Sequence, residues 1–261
     1  MGNTGWIASG ILFAALAIIL TRLLRDRAFR KQRGIFTPWP IPTISLQTLD
    51  TVFYVTEFGP SLDTEVSFIG RGPIIVPGGT SDAEAWVLAV LAKRANRFFE
   101  FGTCTGKTAY LWARNAASDA RVVTLTLSPE QQREYAKVDG DSDVDTKFAL
   151  EESTFTNFLY SSTTAANSIE QLYGDSKHFD ETPWRDYADI VFVDGSHARS
   201  YVESDSVKAM RIVKPGGLVL WHDYAGPRHA PGVFAALNAL AKRFELKHVQ
   251  GTTFVAWRRP V

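Results

Sequence analysis

The chain has 261 residues, 45% of them apolar and 12% aromatic, with 28 Lys plus Arg against 28 Asp plus Glu. This composition excludes disorder over most of the length, and the zero net charge excludes a molecule-wide field for nucleic acid, so no nucleic-acid partner is expected. A single cysteine, Cys104, excludes an internal disulfide and a zinc framework of paired cysteines.

Residues 1–21 carry no charge, whereas residues 22–33 carry Arg22, Arg25, Arg27, Arg30, Lys31 and Arg33 against Asp26, a net +5. As a helix, the uncharged run Gly5–Thr21 spans about 26 Å, and Leu23 and Leu24 extend it to about 30 Å if Arg22 snorkels. A cleaved signal would carry its basic cluster before the apolar run, not after it. Residues 1–33 therefore read as an uncleaved membrane anchor with a basic flank. The basic C-terminal flank predicts a single pass with the following domain facing the cytoplasm. The blander alternative is a buried helix, but an N-terminal helix apolar on all faces has little to pack against in so small a protein.

Residues 34–80 are rich in Pro and Gly, among them Pro38, Pro40, Pro42, Gly59, Pro60 and Gly78, and without helical period they read as a lead-in. Ser81 with Glu84 makes a capping box, and Ala83, Trp86, Val87, Val90 and Leu91 repeat at helical spacing, which predicts a helix over about 82–94. Strand-like runs then follow at Arg97–Gly102, Arg121–Leu127, Ile169–Tyr173, Ala188–Asp194 and Gly217–His222, with two closing strands near Leu246–Val249 and Thr252–Trp257. Helices are predicted at about Lys107–Ala117, near Glu130, at Arg199–Val213 and at Val233–Phe244, and Lys214-Pro215-Gly216-Gly217 reads as a helix stop and turn. Residues 138–168 break the alternation and read as an insertion or a mobile segment. The alternation predicts an α/β fold with a mostly parallel sheet covered on both faces.

In such a sheet ligands bind outside the carboxyl ends of the strands. Glu100-Phe101-Gly102-Thr103-Cys104-Thr105-Gly106 is a glycine loop between strand and helix, where missing Cβ atoms let the backbone approach a ligand. Gly106-Lys107-Thr108 lacks the earlier glycine of a phosphate-binding P-loop, because Phe101 stands there. Gly174-Asp175-Ser176 ends another strand; read alone, this could be a plain turn. Asp194-Gly195-Ser196-His197 delivers an acid and an imidazole together, followed by Tyr201 and Asp205, and His222-Asp223-Tyr224 ends the next strand. Asp194 and Asp223 converging there suit an oxygen-preferring divalent cation, magnesium or calcium. A lone strand-end histidine is more often structural than catalytic, but His197 beside an acid suits proton acceptance near neutral pH.

Taken together, from about Ser81 to Trp257, these ends resemble the class I S-adenosylmethionine-dependent methyltransferases, in the branch with DGxH, KPGG and HD motifs that is related to small-molecule and sugar O-methyltransferases. The resemblance implies a Rossmann-like, doubly wound, seven-stranded sheet with a reversed last strand, and a methyltransferase domain over 81–261. It implies that Glu100, Gly102, Thr103 and Gly106 line the methionine and ribose portion of the cofactor, that Asp175 and Ser176 face the adenine, and that Asp194 sits at the reacting centre. In metal-dependent relatives the ligand positions correspond to Asp194 and Asp223, with an oxygen donor where this chain has His222. The strand that ends at a ribose-binding acid in the family has Thr126 at that place, with Glu130 four residues on.

The expected activity is S-adenosylmethionine-dependent methyl transfer, by family preference to oxygen, with Asp194 and His197 at the reacting centre and magnesium possible. The acceptor would be a small molecule or lipid-like compound met at the membrane, bound by residues 35–80 and 138–168. A rival reading is a membrane-anchored scaffold that keeps the fold and has lost the reaction, with Thr126 and His222 as traces; a metal-dependent hydroxylation is a minor third.

Overall fold

A computed structural model describes residues 12–24, 40–56, 59–60, 64–65, 78 and 80–261. The chain divides into two compact units, Met1–Pro40 and Ile41–Val261. In the first unit, residues 12–24 form helix α1, whose large side chains, from Leu12 and Phe13 to Leu23 and Leu24, are all at least half exposed. Thirteen helical residues reach about 20 Å, short of a hydrocarbon core of about 30 Å. Among the described residues no helix is long and apolar enough to cross a membrane. The expected span from Gly5 is therefore not supported by the described part; its first residues and the basic flank after Leu24 lie outside the described residues.

The second unit is built on an eight-stranded sheet. Its strands are β1 (Thr43–Ile44), β4 (Arg97–Phe101), β5 (Arg121–Thr126), β6 (Ile169–Tyr173), β7 (Ala188–Val193), β8 (Val213–Trp221), β9 (Lys247–Val249) and β10 (Val255–Arg258), and two short strands, β2 (Val55–Thr56) and β3 (Gly59–Pro60), pair separately. The sheet order is β1-β9-β10-β8-β7-β4-β5-β6. β4, β5, β6, β7 and β8 are parallel, and β10 runs antiparallel to both β8 and β9, the reversed last strand that was expected.

The eighth strand corrects the expected seven. β1 comes from the Pro-rich lead-in and adds parallel to β9, with His248 N donating to Pro42 O and Gln250 N to Ile44 O, both at 2.9 Å. Two residues that follow Pro42 carry no readable alternation, so the pairing is legible only in three dimensions. The short helix α2 (Leu46–Leu49) follows, and Ile41, Leu49, Val52 and Phe53 are buried.

Period-two alternation decides which strand residues face which layer. Phe98, Ile190, Phe192, Leu218 and Leu220 join one core with α3 (Asp82–Ala92) and α4 (Lys107–Asn115). α6 (Arg199–Ile212) packs on β7, β8 and α7 (Pro231–Leu240). α5 (Asp143–Glu152) starts at a Ser142 cap inside the segment read as an insertion; further along, Leu159 N donates to Thr105 O and the Tyr160 ring is buried. The helix expected near Glu130 is a 3-10 helix over Pro129–Glu134.

One expectation is reversed in detail. Lys214-Pro215-Gly216-Gly217 lies within β8 rather than before it: Val213 pairs with Ala188 and Leu218 with Ile190, so the four residues form a bulge. Gly216 takes φ 77°, and a Cβ on Gly217 would stand 2.8 Å from Asp189 O, which explains two glycines in a strand.

Candidate active site

The carboxyl ends of β4, β5, β6 and β7 open into a cleft of about 560 Å³. Gly102, Cys104, Thr126, Tyr135, Glu152, Ser153, Asp175, Ser176, Asp194, Ser196, Tyr201 and Asp205 are among its lining. Four of these are carboxylates and none is Lys, Arg or His. Such a wall favours a cationic ligand.

The glycine loop contributes less directly than its motif implied. Gly102 has φ 97°, and a Cβ there would overlap the carbonyl of Asp194, so glycine is what lets β4 meet the end of β7. Gly106 has φ 80° and caps α4, with a Cβ position 2.5 Å from the Tyr160 ring. Glu100, Thr103 and Gly106 are not among the lining residues. Thr103 Oγ1 lies 2.7 Å from Thr124 Oγ1, and Thr124 donates to Glu100 at 2.6 Å. Burial pushes the Glu100 carboxyl up to about 8, its bond to Thr124 working against that and the charge of Asp194 adding to it. These residues are buried rather than on the cleft wall.

At the other end Asp175 lines the cleft, yet its oxygens already serve the protein. Oδ1 accepts from Lys177 N at 2.8 Å, and Oδ2 from Ala136 N at 2.9 Å and Tyr201 OH at 2.8 Å. Ser176 Oγ donates to Asp205 Oδ2 at 3.0 Å, whereas Asp205 Oδ1 is buried with no hydrogen-bond partner. Burial raises the Asp205 carboxyl to about 7. An orphaned acceptor on a cleft wall fits a ligand that brings N–H or O–H donors. Thr126 lines the cleft where the family has its ribose acid, and Glu130 is exposed and outside the lining.

Asp194 also lines a second cavity of about 230 Å³ with His197, His222 and Asp223. His222 Nδ1 lies 2.8 Å from Asp194 Oδ1 and 3.2 Å from Asp223 Oδ2, and His197 Nε2 lies 2.8 Å from Asp223 Oδ2. On the far side of the His222 ring, Nε2 faces Glu84 Oε2 at 3.5 Å. Glu84 is fixed by Ser81 N at 2.9 Å on one oxygen and by Thr253 N at 2.6 Å on the other. Burial pushes Glu84 up, but its bond and charge interaction with His222 and the backbone donors prevail and hold it down to about 2. Burial opposes protonation of His222 and His197, yet the carboxylates around them raise both above the ordinary histidine value.

Asp194, His222 and Asp223 offer one ligand atom each, all within 4.8 Å of one another, a spacing that fits one divalent cation. The sequence had pointed to Asp194 and Asp223 with magnesium; the third donor is an imidazole nitrogen, which departs from an all-oxygen site. Three contributors went unread in the sequence. Glu152 and Ser153 lie in the segment left as an insertion, and Glu84 had been read only as a helix cap. Burial, reinforced by Asp194, raises Glu152 to about 7.

Residues 99–224 match the methyltransferase-domain family. With the sheet order and the order of the strand-end motifs, that stretch is a methyltransferase domain. No curated protein matches it. Similar solved structures include the O-methyltransferase TomG from Streptomyces achromogenes in complex with S-adenosylmethionine, at 20% identity over 71% of this chain and 83% of that one, TM-score 0.46. Another is an O-methyltransferase from Bacillus cereus in complex with S-adenosylhomocysteine, at 16% identity over 70% and 84%, TM-score 0.47. Likenesses of this size add nothing to the sheet order already described.

Proposed function

We propose that the chain transfers the methyl group of S-adenosylmethionine to a hydroxyl oxygen of a small-molecule or membrane-associated acceptor. The observation that carries this reading is the position of Asp194, on the wall shared by the acidic cleft and the cavity that holds His197. Carboxylates around the cleft suit a sulfonium and an ammonium group, and Asp205 Oδ1 suits the adenine amine. The acceptor oxygen attacks the methyl carbon as the carbon–sulfur bond breaks, which leaves the sulfur neutral as a thioether. The acceptor proton passes to His197, whose Nε2 is held by Asp223, so the imidazolium that forms is stabilised. A bound cation would lower the pKa of the acceptor hydroxyl. Most of the acceleration comes from holding oxygen and methyl in line.

Membrane attachment belongs to the same proposal. α1 exposes large apolar side chains on all its faces, and completed by the residues around it, it would anchor the chain with the domain on the cytoplasmic side. Retention in the pellet after carbonate extraction is expected; release to the supernatant contradicts the anchor. The scaffold reading keeps one observation, the absence of an acid at Thr126 with Glu130 exposed and outside the cleft lining. Methyl-labelled S-adenosylmethionine incubated with the full chain and a panel of hydroxyl compounds, catechol and simple phenols first, tests the reaction. Transfer of the label to the hydroxyl compound is expected, falling about 100-fold or more in His197→Ala. Equal turnover in that variant removes His197 from the reaction.

A further inference from the structure

The polar run Asp139-Gly140-Asp141-Ser142, which breaks the alternation of strands and helices, has a place in the fold that the methyl-transfer reading does not use. We propose that Tyr135–Asp141 is a strap that shapes the adenine end of the cofactor cleft, and that Lys177 is the positioning residue that holds it closed. This rests on the methyl-transfer reading for the identity of the ligand, not for the existence of the strap.

The strap is tied down along its length. At its start Tyr135 lines the cleft, stacked on Tyr201 with ring centroids 4.4 Å apart, and its hydroxyl lies 2.7 Å from Ser196 Oγ. Next, Ala136 is held by both of its backbone groups: its N–H donates to Asp175 Oδ2 at 2.9 Å, and its carbonyl accepts from Lys177 Nζ at 2.6 Å. At its end the strap turns, with Asp141 N donating to Val138 O at 3.1 Å and Gly140 at φ 94°, a left-handed conformation that favours glycine. Asp141 then accepts from Ser200 N at 3.2 Å and from Ser200 Oγ at 2.5 Å. α6 has no side-chain cap of its own, so this carboxylate from the strap supplies one.

These ties meet at Lys177. Its ammonium also donates to Ser200 Oγ at 2.6 Å, lies 3.9 Å from Asp141 Oδ2 and stands 4.0 Å from the centroid of the Tyr201 ring. The Lys177 side chain is 13% exposed and that of Asp141 2%, so the pair is largely out of water, where charge-assisted bonds are strongest. Lys177 does not itself line the cleft, and it acts through Tyr135.

The same geometry changes what Asp175 does. By the resemblance Asp175 faces the adenine, but Oδ1 accepts from Lys177 N, and Oδ2 from both Ala136 N and Tyr201 OH. Its carboxylate anchors the strap. The flat surface offered to the base is then the Tyr135 ring that the strap carries to the cleft wall, and an aromatic face suits a stacked base.

The test uses the full chain. Trypsin reads the strap without any ligand, because Arg133 and Lys137 are exposed while the backbone of Ala136 between them is held on both sides. Lys177→Met should be nicked after Arg133 or Lys137 about tenfold faster than wild type, and its affinity for S-adenosylhomocysteine should fall about 10-fold. Tyr135→Ala should lose about as much affinity, and the double variant no more than either alone, because the two residues act as one unit. Should Lys177→Met fail to fold, Ser200→Ala, which removes the hydroxyl that Lys177 and Asp141 share, should move both readouts in the same direction by about threefold. The proposal is overturned if Lys177→Met keeps wild-type nicking or wild-type affinity. It is equally overturned if the losses of Lys177→Met and Tyr135→Ala multiply to about 100-fold. A wild-type chain that binds no S-adenosylhomocysteine contradicts the methyl-transfer reading instead, and the trypsin comparison alone then decides the strap.

Discussion

Glu152 is one of two cleft carboxyls, with Asp205, whose charge state changes near neutral pH. Burial and the charge of Asp194 place its carboxyl at about 7, so it gains a negative charge as pH rises through neutrality. S-adenosylmethionine carries a sulfonium charge that S-adenosylhomocysteine lacks. Between pH 6 and pH 8 the affinity for the former is therefore expected to rise several-fold more than for the latter, and Glu152→Gln should reduce the difference, leaving the part that Asp205 supplies; equal pH dependence for both ligands contradicts it. Glu84 works in the opposite sense. Its folded value of about 2 lies below the ordinary 4.5, so its contribution is complete above 4.5 and is lost as pH falls toward 2. A gap of that size corresponds to on the order of 3 kcal/mol. Urea melts across that window should show wild type losing stability more steeply than Glu84→Gln; parallel curves would remove the linkage.

At the scale of elements, α3 shows why part of the site was readable and part was not. The capping box of Ser81 and Glu84 is visible as letters, and it forms as written. What the letters do not show is that the same carboxylate also reaches Thr253, 169 positions away in the chain, and the ring of His222. Strand-end motifs were legible because a parallel sheet forces their ends to one edge, which brought Asp194, His197 and Asp223 together as expected. The roles of Glu100, Thr103 and Gly106 were less legible, because a motif names a loop but not which of its side chains point into the floor. Ser153 and Glu152 were hidden because α5 has no period to distinguish it from a polar loop. The contact between β4 and β7 yields a direct prediction. Gly102→Ala should place a methyl inside the carbonyl of Asp194 at a left-handed φ, and either lower the melting temperature by several degrees or abolish ligand binding. Wild-type stability together with wild-type binding would contradict the close approach.

At the scale of the whole molecule, the sheet order β6-β5-β4-β7-β8-β10-β9 is the frame that makes one edge both acidic and rich in histidine. The eighth strand β1 ties Thr43 and Ile44 to that frame through β9, so the lead-in described from Ile41 falls in the second compact unit. That was not legible because a two-residue strand is defined by its partner, not by its own alternation. The frame is compatible with both an active enzyme and a scaffold, and the cleft itself distinguishes them. The measurement that bears most directly on this is calorimetric titration of the full chain with S-adenosylmethionine and S-adenosylhomocysteine. Saturable binding of both at one site per chain, weakened in Asp194→Asn and unaffected by changes at the exposed Glu130, is the predicted result. No heat at millimolar ligand would contradict the account and leave the cleft as a remnant of a lost reaction.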